Sequence, residues 1–258
     1  MMPLQDKRVL VTRDADKAYT LTSLIEQQGG ISIEIPLLHF HALYSRENQK
    51  LLERIEDFEW LFFTSANGVH FFFTLLDYYQ INRKKLSEMN CAVVGTKTEK
   101  ALQDQGVPAQ FVPHTFTGQS MGKHFAQEVS NENKVLVIQG NLARQAVVKE
   151  LTDEKFHVET AILYETNVNV KMKEKLKTTL QAGEVDILTF TSPSTIKAFI
   201  DLADLEWGEK VATLPCVCIG PTTEEAAIHY GFQSILAPNQ YTVEGMMEVM
   251  VEYVLHSQ

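Results

Sequence analysis

The run Lys7-Arg-Val-Leu-Val-Thr-Arg13 returns later in the chain as Asn133-Lys-Val-Leu-Val-Ile-Gln139, with Val135 lying 126 residues after Val9. Phe63-Thr-Ser65 returns as Phe190-Thr-Ser192 and Val94-Gly95 as Ile219-Gly220. Phe111-Val-Pro113 returns as Leu236-Ala-Pro238 and Phe116-Thr117 as Tyr241-Thr242, so all five matches fall at offsets of 125 to 127 residues. Five matches in one order at nearly one spacing describe a duplicated unit of roughly 125 residues, the size of an ordinary domain. The 258-residue chain therefore reads as two similar halves with no Gly/Ser/Pro-rich linker between them.

Within the first copy, short apolar runs alternate with amphipathic stretches. Val9–Thr12, Ser32–Pro36, Trp60–Thr64, Cys91–Val94 and Ala109–Val112 read as strands. Helices are expected from Ala18 to Gln28, where Gly29-Gly30 stops the first, from Ala66, and after Val94 up to Gly106. Such alternation predicts an α/β fold, with parallel sheets flanked by helices, right-handed crossovers, and ligands at the carboxyl ends of the strands. The Lys-rich stretch Asn167–Gly183 reads as a solvated helix.

Composition narrows the partners. With 23 Lys and Arg against 33 Asp and Glu the net charge is −10, which argues against nucleic acid or an anionic membrane surface. A small acidic ligand is still compatible, because it feels the local field of its cleft. No window is long and apolar enough to span a membrane, and Met1–Arg8 is charged without the apolar core of a signal peptide. Cys91, Cys216 and Cys218 sit in apolar runs without metal-ligand spacing, as expected of buried thiols in a cytoplasmic protein. His39 and His41 have no further ligands nearby in sequence, so no metal site is expected.

The repeated motifs all stand where a strand gives way to a helix. Ser65 and Ser192 suit N-caps, Pro193 and Pro221 suit first helical turns, and Thr96 with Glu99 and Thr222 with Glu225 have capping-box spacing. Each alone is explained as a cap. Together they line a carboxyl edge with helix N-termini, which bind anions, and Gly95, Gly140 and Gly220 allow close backbone approach there. No GxGxxG is present, and Gly118–Lys123 lacks the spacing of a phosphate loop. The set suits a polyanionic ligand other than a dinucleotide.

The runs Val9-Leu-Val-Thr-Arg13, Phe63-Thr-Ser-Ala-Asn-Gly68, Val93-Val-Gly-Thr96, Leu163-Tyr-Glu-Thr166, Phe190-Thr-Ser-Pro-Ser194 and Ile219-Gly-Pro-Thr-Thr223 resemble the uroporphyrinogen-III synthase family over almost the whole chain. The resemblance implies two similar domains joined by a two-segment linker, with a cleft between them. One domain would comprise residues 1–37 plus 168–258 and the other, inserted, residues 42–161, with linkers near 36–41 and 162–167. It implies a cofactor-independent carbon–oxygen lyase of heme biosynthesis. Hydroxymethylbilane loses its hydroxyl to give an azafulvene. Ring D then attacks through its substituted carbon, and a spiro intermediate recloses with ring D inverted, giving uroporphyrinogen III.

The resemblance also distributes roles. Tyr164, in the second linker, is the candidate proton donor for the leaving hydroxyl, because a phenol titrating near ~10 keeps its proton at neutral pH. A Tyr that only packs the linker is the alternative. Substrate carboxylates would be bound by Arg13, Ser65, Ala66, Asn67, Gly95, Thr96, Gly140, Asn141, Arg144, Ser192, Pro193, Ser194, Lys197, Thr222 and Thr223. Arg13 and Arg144 could clamp carboxylates or pair on the surface. The sequence departs from the family at Asp14, where Pro is common, and at Gln139, where Arg is frequent. A monomer is expected, meeting the tetrapyrrole and, transiently, the enzyme that makes the bilane. The competing reading is a non-catalytic two-domain binder of an anionic tetrapyrrole or other polycarboxylate. Enzymatic turnover against tight binding alone separates the two.

Overall fold

A computed structural model of the protein describes residues 2–113, 121–143, 145–204 and 208–256. The Phe116-Thr117 motif, part of Gly118–Lys123 and Arg144 lie outside these residues. Contacts divide the chain into two units, one of Met1–His39 with Asn167–Gln258, the other of Phe40–Thr166.

In the first unit the order is β1 (Arg8–Val11), α1 (Ala15–Gln27) and β2 (Ile31–Glu34). The chain then passes through the second unit. Its order is β3 (Leu38–Ala42), α2 (Arg46–Glu53), β4 (Trp60–Phe63), α3 (Ala66–Tyr78), β5 (Asn90–Val93), α4 (Thr96–Gln103), α5 (Met121–Glu128), β6 (Lys134–Gly140), α6 (Ala146–Asp153) and β7 (His157–Val168). It returns with α7 (Lys173–Gln181), β8 (Ile187–Phe190), α8 (Pro193–Ala203), α9 (Glu209–Ala212), β9 (Pro215–Cys218), α10 (Pro221–His229), β10 (Ser234–Leu236) and α11 (Val243–His256).

The first unit's sheet runs β10-β9-β8-β1-β2 and the second's β3-β7-β6-β4-β5. Both pair in parallel across their central strands. Each sheet combines strands from opposite copies of the repeat. Strands β1 and β2 of the first copy lie beside β8, β9 and β10 of the second, and β6 and β7 of the second lie beside β4 and β5 of the first. Numbered within its own unit, the first sheet follows the doubly wound order 2-1-3-4-5, whereas the second, with β3 at its edge, follows 1-5-4-2-3. The order in which strands are added reverses between β1 and β8 in one sheet and between β6 and β4 in the other, and ligands of such sheets bind at the carboxyl ends of these strands.

Apolar strands bury both faces, as parallel sheets require. Leu61, Phe63, Leu136 and Ile138 enter one core with the face of α3, while Trp60, Phe62, Val135 and Val137 enter another with Phe125. In the first unit Val9, Val11, Ile187 and Val217 pack against Leu21 and Ile25 of α1 and Met246 and Met250 of α11. Leu43 N donates to Leu163 O at 2.9 Å and Asn169 N to Leu37 O at 2.8 Å, so β3 and β7 run antiparallel where the chain passes between units. The buried Asn48 amide clamps both segments, donating to Leu43 O and Ile162 O at 3.0 Å each.

Three local expectations change. Residues 109–112 form only a bridge, Ala92 to Phe111. Pro108 and Pro113 bracket it, and the Gln110 side chain accepts from Cys91 N at 2.7 Å, so a side chain replaces part of the ladder. The Lys-rich stretch is α-helical only over α7, after a 3-10 turn at Val170–Met172, and α7 buries Leu176, Thr179 and Leu180. The capping boxes are absent because Gly95 and Gly220 occupy the N-cap positions, placing Thr96 and Thr222 inside their helices. The three cysteines are buried thiols. No helix among the described residues is long and apolar enough to cross a membrane.

Candidate functional site

In the second unit the carboxyl ends of β4, β6 and β7 bring together four of the expected residues. The chain leaves β4 at Thr64, whose Oγ1 donates to Ile138 O at 3.1 Å. Ser65 follows in an extended conformation and caps α3, accepting from Gly68 N at 3.0 Å. Its Oγ lies 3.0 Å from the hydroxyl of Tyr164 on β7. The Tyr164 ring stacks on Phe71 of α3 (5.0 Å between centroids, 21° between planes) and tilts against Phe40.

Gly140 makes room for that ring. A Cβ at residue 140 would lie 2.5 Å from both Cε2 and Cζ of Tyr164. Registers shift between Gln139 and Gly140, a bulge that sets Gly140 opposite Tyr164. Asn141 fixes the next step, its N donating to Tyr164 O at 3.1 Å and its Oδ1 accepting from Thr166 N at 2.8 Å. Tyr164 is 8% exposed. Burial pushes its pKa above the ordinary tyrosine value, and the Ser65 hydrogen bond only partly opposes this. Ala66 and Asn67 open α3, and Gly95, at φ 111°, caps α4 in a conformation that favours glycine. Thr96 is exposed beside it.

The first unit offers a matching edge with different chemistry. Thr12 Oγ1 donates to Thr189 O at 2.6 Å and Thr189 Oγ1 to Leu10 O at 2.7 Å, locking β1 to β8 at the reversal point. Arg13 follows, half-buried. Burial lowers its pKa, while the charges of Glu244 and Asp14 oppose that shift. Ser192 caps α8, accepting from Thr195 N at 3.2 Å, and its Oγ also meets Thr195 Oγ1 at 2.6 Å and Ser194 Oγ at 3.0 Å. Pro193 holds the first helical position. Thr222 is exposed in the first turn of α10, whereas Thr223 is 1% exposed. Lys197 pairs with Asp201 one turn along α8 at 2.7 Å. Arg144 lies outside the described residues.

Tyr164 has Leu38 as its counterpart one repeat earlier, so the first unit carries no phenol at the equivalent position. No group of three potential metal ligands occurs among the described residues, and His41 instead meets Glu165 at 3.3 Å. A surface hollow of about 640 Å³ in the second unit is lined by Glu47, Glu159 and Glu165 together with Lys50 and Arg54, the last paired with Glu159.

Residues 20–248 match the uroporphyrinogen-III synthase HemD family. The chain belongs to that family. It is 30% identical over 254 residues to the porphyrin biosynthesis protein HemD of Ruminiclostridium josui, an alignment covering 97% of this chain and 49% of that protein. The chain thus spans about half the length of that relative. It is 25% identical over 252 residues to the uroporphyrinogen-III synthase of Synechococcus elongatus, covering 95% of this chain and 94% of that one. A crystal structure of a mutant uroporphyrinogen III synthase from the extremely thermophilic bacterium Thermus thermophilus shares the fold, with TM-score 0.69 at 15% identity over 98% of this chain and 100% of that one.

Within this uroporphyrinogen-III synthase family member, sequence reasoning did not select Phe71, Phe40, Thr12 or Thr189. Phe71 and Phe40 belong to ordinary apolar patterns, and only the folded chain sets them against Tyr164. The Thr12–Thr189 lock had a signal, since polar residues ending two apolar strands need partners once buried.

Proposed function

We propose that the chain cyclises hydroxymethylbilane to uroporphyrinogen III, inverting ring D with loss of water, and that Tyr164 supplies the proton to the departing hydroxyl. The observation that carries the acid role is the 3.0 Å contact between Tyr164 and a Ser65 oxygen that already accepts the Gly68 N–H. A serine oxygen keeps a second lone pair, so either hydroxyl can donate across this contact; when Ser65 donates, the phenol's own proton is left for the substrate. Burial keeps the phenol protonated at neutral pH. The leaving hydroxyl therefore meets a neutral donor, and no second negative charge faces the carboxylates.

Orientation is the larger part of the task, because the bilane closes unaided to the wrong isomer. Helix N-termini at Ser65, Gly95, Ser192 and Gly220 present N–H groups to acetate and propionate carboxylates, with Arg13 adding a guanidinium. In this reading the second unit does the proton chemistry and the first contributes fixed charge. Thr96, Asn67, Gly140, Asn141, Arg144, Ser194, Lys197 and Thr222 complete the proposed binding set. The reading extends to a cytoplasmic location, supported by the buried thiols. It also extends to a transient contact with the bilane-forming enzyme, which the instability of the substrate favours.

Tyr164→Phe tests the acid role. The expected result is a fall in kcat of about tenfold or more, toward the range of lost general-acid catalysis, while the Kd for uroporphyrinogen III stays within about threefold. Equal effects on turnover and product binding would remove Tyr164 from that role.

A further inference from the structure

Gln139 is 1% exposed, and neither its Nε2 nor its Oε1 has a hydrogen-bond partner among the described residues. By strand alternation its position falls on the face of β6 that carries Val135 and Val137, at the carboxyl end of the strand. A buried amide left wholly unpaired is destabilising, and apolar side chains of the same size are available to evolution at no such penalty. Residue 139 is the last but one of β6, at the reversal point of the sheet, and its ladder partner Ile162 stands two residues before Tyr164.

The repeat supplies a second, independent observation. Arg13 stands 126 residues earlier, at the equivalent position of the repeat, two residues past the end of β1. It too is desolvated and makes no hydrogen bond or ion pair with the described residues; only the through-space charges of Glu244 and Asp14 act on it. Long polar side chains held unpaired at both equivalent positions are the kind of local inconsistency that marks functional positions in an otherwise consistent fold.

We infer that the Gln139 amide is a substrate-binding group of the second unit, accepting a pyrrole N–H on Oε1 and donating to a carboxylate oxygen from Nε2. Arg13 can only donate, so the two equivalent positions read different parts of an asymmetric bilane. The inference rests on the synthase reading above. Substrate supplies the partners that the free protein lacks, so the amide lowers stability in the free state and contributes affinity in the bound state.

Gln139→Met keeps the length and removes both polar atoms. In the full chain the thermal midpoint is expected to rise by about 2–4 °C, as removal of an unpaired buried group predicts for a protein of this size. At the same time kcat/KM for hydroxymethylbilane is expected to fall about tenfold or more, mainly through KM, as for a lost hydrogen bond to a charged group. A kcat/KM within about twofold of wild type overturns the inference and leaves the synthase reading intact. A lowered midpoint overturns it too, because the amide was then satisfied in the free protein. A loss carried by kcat at unchanged KM contradicts ground-state binding. Wild-type protein that forms no isomer III overturns the synthase reading, and this inference with it.

Discussion

The ring of Tyr164 fits because residue 140 has no side chain. The steric argument is local: a Cβ there would sit 2.5 Å from two ring carbons that Phe71 already holds by stacking from α3. Gly140→Ala is therefore expected to displace the phenol from Ser65 and to destabilise the fold by about 1–3 kcal/mol, as overpacking does. Urea unfolding and turnover measure the two effects, and full activity in a destabilised variant would show that the phenol position is unimportant. The sequence marks Gly140 as a point of close approach without saying of what. The group turns out to be a ring 24 residues downstream, brought there by the β6–β7 ladder and its bulge. Ser65 and Ser192 were legible because an N-cap is a local device, read from the residue and the helix behind it.

Strand-to-helix junctions explain both the successes and the failures of local reading. Thr96 and Thr222 have cap-like spacing, but a glycine precedes each helix and takes the cap position, which no side-chain rule separates from a Thr cap in advance. At the opposite edge of the first sheet, β1 is pinned to the start of β8 by Asp186, which accepts from Arg8 N at 2.8 Å and Arg8 Nε at 3.2 Å. Burial alone would raise the Asp186 pKa, yet the hydrogen bonds and charge of Arg8 hold it below the ordinary value of 3.8. A carboxylate with a depressed folded-state pKa stabilises above its unfolded pKa, and that contribution is lost as pH falls through the folded value. Asp186→Asn should accordingly lower the unfolding midpoint at pH 6, with the difference from wild type shrinking as pH falls below 3.8 and through the lower folded-state value. The effect is small, under about 1 kcal/mol, because both side chains are about one-third exposed. A difference that persists unchanged at pH 2.5 would assign it to packing instead.

Across the whole molecule, the duplication was visible in the chain, but a repeat does not say which strands pair. Each sheet is assembled from both copies, a pairing set by β1 meeting β8 and β4 meeting β6 across long stretches of sequence. The copies have also diverged at the carboxyl ends of these strands. Tyr164 and Gly140 stand in one unit where Leu38 and Asp14 stand in the other, and Arg13 stands where the other unit has Gln139. In the proposed reading the second unit's edge carries the proton donor, and the first unit's edge carries the guanidinium of Arg13. The central claim is that the chain holds the bilane in one conformation while its hydroxyl leaves. Freshly prepared hydroxymethylbilane should be given to the purified protein, the products oxidised, and the porphyrin isomers separated by chromatography. Mostly isomer III is the predicted result. Isomer I alone, formed at the rate seen without protein, would contradict the account and leave a protein that binds tetrapyrrole without turning it over.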